Sequence, residues 1–331
     1  MNKICPLFIF VSSIFIASQA QQLYMPRNVR QAYKNGTRSL DGSPGPKYWQ
    51  NHGRYNITVV ALPPDRNIKG SEDITYINNS PDTLSNPVIK LILNIHKPGS
   101  VRLFDASSDY LNPGVHIDKL IANGATINWS DPAFHSTWQN FHLPKALMPH
   151  DSVQIHFEWH YEISLRSGRE GMIDSTTFFL AYFYPRVAVF DDCDGWDRMD
   201  FTDGQEFYND FNDYTLNAQV PKNYIVWATG TLQNPNAVLQ PRYVEKLNRS
   251  MQTDSIISIA TKQDLATKNV TAQNSINTWQ WTASDISDVT CAISDHFVWD
   301  ASSVVVDDAT LRRAGVQSAF NDTAKDFHHM V

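Results

Sequence analysis

Phe178-Phe-Leu-Ala-Tyr-Phe-Tyr-Pro-Arg186, Val187-Ala-Val-Phe190, Asp191-Asp-Cys-Asp-Gly-Trp-Asp197 and Gln205-Glu-Phe-Tyr208 form the first half of the stretch that decides the fold. Asp213-Tyr-Thr-Leu-Asn-Ala-Gln-Val220, Pro221-Lys-Asn-Tyr224 and Ile225-Val-Trp-Ala-Thr-Gly-Thr-Leu232 form the second. The order is apolar strand, acidic turn, alternating strand, tight turn, apolar strand. Tyr214, Leu216, Ala218 and Val220 fall on one face at period two, the mark of a half-buried strand. Pro221-Lys222-Asn223 ends it, because proline removes a ladder donor and asparagine tolerates turn geometry. Ile225 to Trp227 is a short buried strand that stops before Gly230.

Working outward, more strands appear on both sides. Tyr55, Ile57 and Val59 alternate with Asn56 and Thr58, and Pro63-Pro64-Asp65 turns the chain. Gly70 to Asn79 reads as the next strand, and Val88 to Leu93 is apolar enough to be buried. Val115–Leu120 and Thr126–Trp129 form a hairpin closed at Asn123-Gly124, a strong turn pair. The clearest alternation places Val153, Ile155, Phe157, Trp159, Tyr161 and Ile163 inward. Ile256–Ala260, Trp279–Ala283 and Cys291–Val298 are further strands. Residues 21–52 hold several Pro and Gly without periodicity and read as an extended lead-in. The helical signal lies at the end, where Asn321-Asp-Thr323 caps a run through Ala324, Phe327, His328 and Val331.

The chain has 331 residues, room for two ordinary domains or one large β domain. A net charge of -7 gives phosphates no counter-charge, which excludes nucleic acid as a partner. Residues 1–20 read as a signal peptide: Lys3 leads, Leu7–Ile16 is apolar but too short to span a bilayer, and Ser18-Gln19-Ala20 offers a cleavage site. The address is therefore secreted or periplasmic, with no transmembrane segment after cleavage. Cys5 leaves with that segment. Cys193 and Cys291 remain, too few for a disulfide scaffold, and two separate buried thiols are expected.

The central stretch resembles the N-terminal domain of the zinc metallopeptidases related to aminopeptidase N and leukotriene hydrolase, in their secreted bacterial form. The resemblance rests on aromatic-Tyr184-Pro-Arg186, Phe190-Asp-Asp192, Gly195-Trp196, Glu206-Phe-Tyr208 and Val220-Pro-Lys-Asn-Tyr-Ile-Val-Trp-Ala-Thr-Gly230. Upstream, Gly70-Ser-Glu-Asp-Ile-Thr-Tyr-Ile-Asn-Asn-Ser-Pro-Asp-Thr-Leu84 is similar to the opening of the same domain. The match covers about Tyr48 to Leu232, and Asp295–Ala301 resembles the late strand leading toward the catalytic domain. It implies a mainly β fold, a large twisted antiparallel or mixed sheet packed on smaller ones, at 53–307. It further implies that 308–331 is the truncated start of the catalytic domain.

In that family His-Glu-x-x-His binds zinc and supplies a general base, and Gly-x-Met-Glu-Asn binds the substrate amine. This chain contains neither, and both follow the point where it ends. No catalytic residue and no metal ligand is therefore expected here. The chain itself needs no cofactor; zinc belongs to the full-length enzyme, and peptide substrate reaches the domain through the missing catalytic part. Tyr182 aligns best with the family's substrate-edge position, with an aromatic packed in the core as the plain alternative.

Two other clusters invite a metal. His156, Glu158, His160 and Glu162 share one outward strand face, which fits zinc or copper, although a solvated sheet face is the commoner role. Asp191, Asp192, Asp194, Asp197, Asp200 and Asp203 suit calcium chemically, but the glycine spacing is not that of a helix-loop-helix site, and an acidic turn is the commoner role. Two functions from other classes stay open. One is a stand-alone secreted β-sandwich binding module for peptide or carbohydrate. The other is a glycosidase with two carboxylates.

Overall fold

The structure is a computed structural model that describes residues 24–323 apart from 134, 167 and 207. The expected leader with Cys5, and the expected helical run through His328, lie outside the described residues. The chain divides into two compact units, 1–48 and 49–331.

The first unit corrects the expected extended lead-in. Arg27–Asn35 is a helix. Pro26 precedes it, and Gly36 ends it at φ 78°, its N–H bonding the Ala32 and Tyr33 carbonyls. These are ordinary start and stop signals. They went unread because the helix is short and mostly polar, with Val29, Ala32 and Tyr33 as its apolar side and only Ala32 buried.

The second unit is built on an eight-stranded mixed sheet. Its order is Thr231–Leu232, Ile276–Ile286, Asn212–Pro221, His52–Val60, Asn67–Ile77, Ser152–Glu162, His116–Ala122 and Ala125–Thr126. His52–Val60 runs parallel to Asn212–Pro221, and the other neighbours are antiparallel. Tyr214, Leu216, Ala218 and Val220 are buried, as period two requires, and so is the stripe from Val153 to Ile163. Asn123 and Gly124 both take positive φ at the hairpin tip, the geometry a two-residue primed turn needs.

Smaller sheets cover this core. Ile225–Ala228, Cys291–Ser294, Thr177–Leu180 and Gly171–Asp174 form one of four strands. Arg186–Val187, Val88–Lys90 and Trp138–Asn140 form another. The apolar run after Val88 is buried, but only its first part is strand; Ile92–His96 is a 3-10 helix. Ile257–Ala260, Val298–Asp307 and Arg312–Phe320 make a third sheet, so strand pairing continues past residue 308 to Phe320. Helices Pro241–Ser250 and Lys262–Ala266 were not expected. Cys193 and Cys291 are not joined. Cys291 is buried, which pushes its thiol up to about 12, whereas Cys193 is half-buried, not buried as expected.

Candidate functional site

Tyr182 is the sequence-predicted site residue, and its backbone is unusual. It sits at φ 60°, a left-handed conformation that costs a bulky side chain energy. Such a residue persists only where its surroundings fix it. Both flanks are fixed here. Ala181 and Phe183 are buried, and the Trp159 indole donates to the Phe183 carbonyl at 2.9 Å. One residue on, Tyr184 donates to Asp288 at 2.8 Å, and the buried Arg186 guanidinium meets the same carboxylate at 3.2 Å. The aromatic-Pro-Arg run thus anchors the turn that carries Tyr182.

Tyr182 forms one wall of a hollow of about 220 Å³. Phe201 packs beside it at 5.8 Å between ring centroids. Leu93, Ile95 and His96 come from the 3-10 helix, and Phe104 and Tyr110 from the loop after it. Arg102 fixes that helix by donating to the Ile95 and Lys97 carbonyls, where a cation suits a helix C-terminus. Arg166, Gly168, Arg169 and Glu170 close the hollow.

A buried polar pair lies in this wall. His96 Nε2 meets Glu170 Oε1 at 2.6 Å, with side chains 2% and 8% exposed. His96 Nδ1 lies 2.8 Å from the Tyr110 carbonyl, and because a carbonyl can only accept, that nitrogen carries hydrogen. The Tyr110 ring lies tilted against the imidazole, 4.1 Å between centroids, and its hydroxyl is held well above the usual tyrosine range by burial and then by Glu170. Arg169 is tied to Glu206 at the surface. An apolar body would fit against the aromatic walls, while the polar groups fix orientation.

The other clusters resolve differently. His156 bonds Asp73 at 2.8 Å, His160 bonds Asp118 at 2.8 Å, Glu158 holds Lys119 at 2.9 Å, and Glu162 holds Arg66 at 2.7 Å. His156 and His160 stand four residues apart on one strand, about 13 Å, too far to share one ion. The acidic run makes turns and ion pairs. Asp191 accepts from the Cys193 and Asp194 amides, Asp197 meets Lys90 at 2.7 Å, and Asp200 accepts from the Thr137 amide at 2.7 Å. Among the described residues no group of three or more His, Cys, Asp or Glu is placed to hold a metal ion. No helix among them is long and apolar enough to cross a membrane.

His96, Arg169 and Glu170 were missed by sequence reasoning. His96 and Glu170 are far apart in the chain, so no local spacing links them.

No protein-family model matches the chain, and a search of curated proteins finds no match. Among solved structures it is similar to the M1 zinc metallopeptidase from Deinococcus radiodurans, at 11% identity and TM-score 0.47, covering 84% of this chain and 49% of that one. A point mutant of that peptidase, bound to a Tyr-Ser-Ala substrate, matches at 10% identity and TM-score 0.46, covering 84% and 51%. A two-domain M1 zinc metallopeptidase mutant bound to L-arginine matches at 10% identity and TM-score 0.45, covering 85% and 50%. The chain spans about half the length of these structures.

Proposed function

We propose that this chain is the non-catalytic N-terminal domain of a secreted zinc-dependent metallo-aminopeptidase, and that it shapes the wall of the substrate cleft. The observation that carries the reading is the ordered run of motifs from Tyr48 to Leu232. Its aromatic-Pro-Arg segment anchors Tyr182 on the wall of an aromatic hollow. In this reading Tyr182 borders the cleft, zinc and the general base come from a following catalytic domain, and residues 1–20 direct export.

Catalysis by zinc needs three protein ligands, an open position for water and a nearby base. The chain has no His-Glu-x-x-His to supply them. An aminoacyl-anilide assay on the purified chain should therefore show no turnover. Chelator-sensitive turnover would overturn the non-catalytic reading. A His-Glu-x-x-His in the downstream reading frame, with Tyr182→Ala altering KM in the longer enzyme, is the expected positive result. Its absence, together with saturable binding of a free sugar or peptide by this chain, would favour a stand-alone binding module. Sequencing of the exported product should begin at Gln21, and an intact Met1 would contradict the export assignment.

A further inference from the structure

The first unit carries a charge pattern that the rest of the chain does not share. Between Tyr24 and Tyr48 stand five basic side chains, Arg27, Arg30, Lys34, Arg38 and Lys47, against one acid, Asp41, although the whole chain is at -7. The helix Arg27–Asn35 sorts three of them onto one side. At about 100° per residue, Arg27, Arg30 and Lys34 fall within about 60° of one another. Val29, Ala32 and Tyr33 lie opposite, and Ala32 is fully buried. The packed side therefore faces inward and the basic side faces water, where Arg27, Arg30 and Lys34 are all exposed.

The chain then folds back on the end of the helix. The Gly45 N–H donates to the Thr37 carbonyl at 3.0 Å, and the Lys47 N–H to the Gly36 carbonyl at 2.9 Å. This lays the Lys47 side chain beside Gly36, 3.8 Å from where a Cβ there would sit, so a fourth cation stands at the helix C-terminus. Among the described residues none of Arg27, Arg30, Lys34 and Lys47 forms an ion pair; Arg30 donates to the Met25 carbonyl at 3.3 Å. Asp41 is engaged within its own turn, where it accepts from the Ser43 hydroxyl at 2.6 Å.

We propose that this unit is a docking surface for an anionic lipid membrane. Each unpaired cation near an anionic leaflet strengthens attachment about fivefold. Charge alone would suit any polyanion, and two apolar side chains of the same unit select lipid. Leu40, in the turn beside Asp41, is 85% exposed, and Tyr24, just before the helix, is 80% exposed. A leucine and an amphipathic tyrosine gain by entering the boundary between headgroups and acyl chains. A nucleic acid or an acidic polysaccharide offers Leu40 nothing comparable. The acidic remainder of the chain does not prevent docking, because its repulsion is screened beyond about 8 Å at physiological ionic strength. The helix lies on the surface and does not insert, since its apolar side is turned to the unit's own interior. This attachment goes beyond the cleft-wall reading and does not depend on it.

The test is co-sedimentation with phosphatidylcholine vesicles, with and without about 30% phosphatidylglycerol, in low and high salt. The full chain and a chain beginning at Gln21 are run side by side, so that the apolar run Leu7–Ile16 cannot account for binding. Both should bind the anionic vesicles, release in high salt, and ignore the neutral ones when the run is absent. Arg27→Gln, Arg30→Gln and Lys34→Gln together should weaken binding by about 100-fold. These positions are exposed, so the fold should hold. Lys145→Gln with Lys222→Gln, exposed cations of the second unit, should leave binding unchanged. Leu40→Ser should weaken binding to vesicles severalfold and leave binding to heparin or duplex DNA as it was. No binding by the chain from Gln21, equal binding to neutral vesicles, or equal loss in the two charge variants overturns the proposal. So does tighter binding to heparin or DNA than to lipid, which would make the unit a polyanion site. Peptide turnover plays no part in the outcome, so this result and the non-catalytic reading stand or fall separately.

Discussion

His96 and Glu170 face each other at 2.6 Å, with both side chains almost fully removed from water. They join the 3-10 helix Ile92–His96 to the turn that precedes Gly171–Asp174, so one contact closes the hollow beside Tyr182. A pair this buried is weak evidence for stability as such, because desolvation offsets most of the attraction. Removing one partner is another matter, since it strands the other.

His96→Ala should therefore destabilise the fold by about 3–5 kcal/mol. Replacing both residues with apolar ones of similar volume should cost much less. Urea unfolding of the two variants makes the comparison. Equal losses would mean that the pair itself, not the stranded charge, sets the energy.

Asp210 makes stability depend on pH. It is 9% exposed, and burial raises its carboxyl to about 7, against hydrogen bonding from Gln50 and the nearby His52. Its folded pKa thus lies above its unfolded one, near 3.9. Between the two values the folded chain keeps a proton that the unfolded chain has lost. Its contribution is complete below about pH 4 and is lost as pH rises through about 7, a change on the order of 4 kcal/mol. Asp210→Asn should flatten this slope and raise the melting temperature at pH 8. An unchanged pH profile would mean that the carboxyl is ionised throughout.

Much of the β framework could be read from residues alone, and the reasons are local. Val153 to Ile163 alternates without a break, so its inner face could be assigned before any partner strand was known. Glu72 sits on the inner face with Ile74 and Tyr76, 1% exposed with no hydrogen bond to its carboxyl, a placement that the sequence reading did not single out. Pro241–Ser250 was overlooked although Pro241 stands at its start and Tyr243, Val244 and Leu247 share its buried side. Thr261 and Asp264 form a capping box that the sequence also displays. The hollow was harder to foresee. Tyr182 was singled out only through a resemblance, and its wall comes from segments that meet through the fold.

The positive φ of Tyr182 yields an ordering of variants. Asparagine tolerates the left-handed region, whereas valine is β-branched and resists it. Tyr182→Asn should then melt above Tyr182→Val, by about 1 kcal/mol, even though valine keeps more apolar surface. The reverse order in thermal melts would show that packing on Phe201, not backbone strain, governs this position.

Gly70 and Trp159 are register partners in the main sheet, and their pairing explains why a glycine stands mid-strand. A Cβ built on Gly70 would land inside the Trp159 indole, which is 1% exposed and donates to the Phe183 carbonyl at 2.9 Å. The ring lies across the glycine because no side chain is there. Gly70→Ala should therefore cost about 1–3 kcal/mol as overpacking, despite alanine's advantage in the unfolded chain. Trp159→Ala should cost about 3–5 kcal/mol through the cavity it opens. Trp159→Phe shortens the ring at the point of contact, so in combination with Gly70→Ala the losses should fall short of their sum by about 0.5–3 kcal/mol. Denaturant melts of the four chains close the cycle. Strict additivity would mean that the indole moves aside without cost. Because its N–H holds the Phe183 carbonyl next to Tyr182, such a displacement would also leave the Tyr182 turn without one of its anchors.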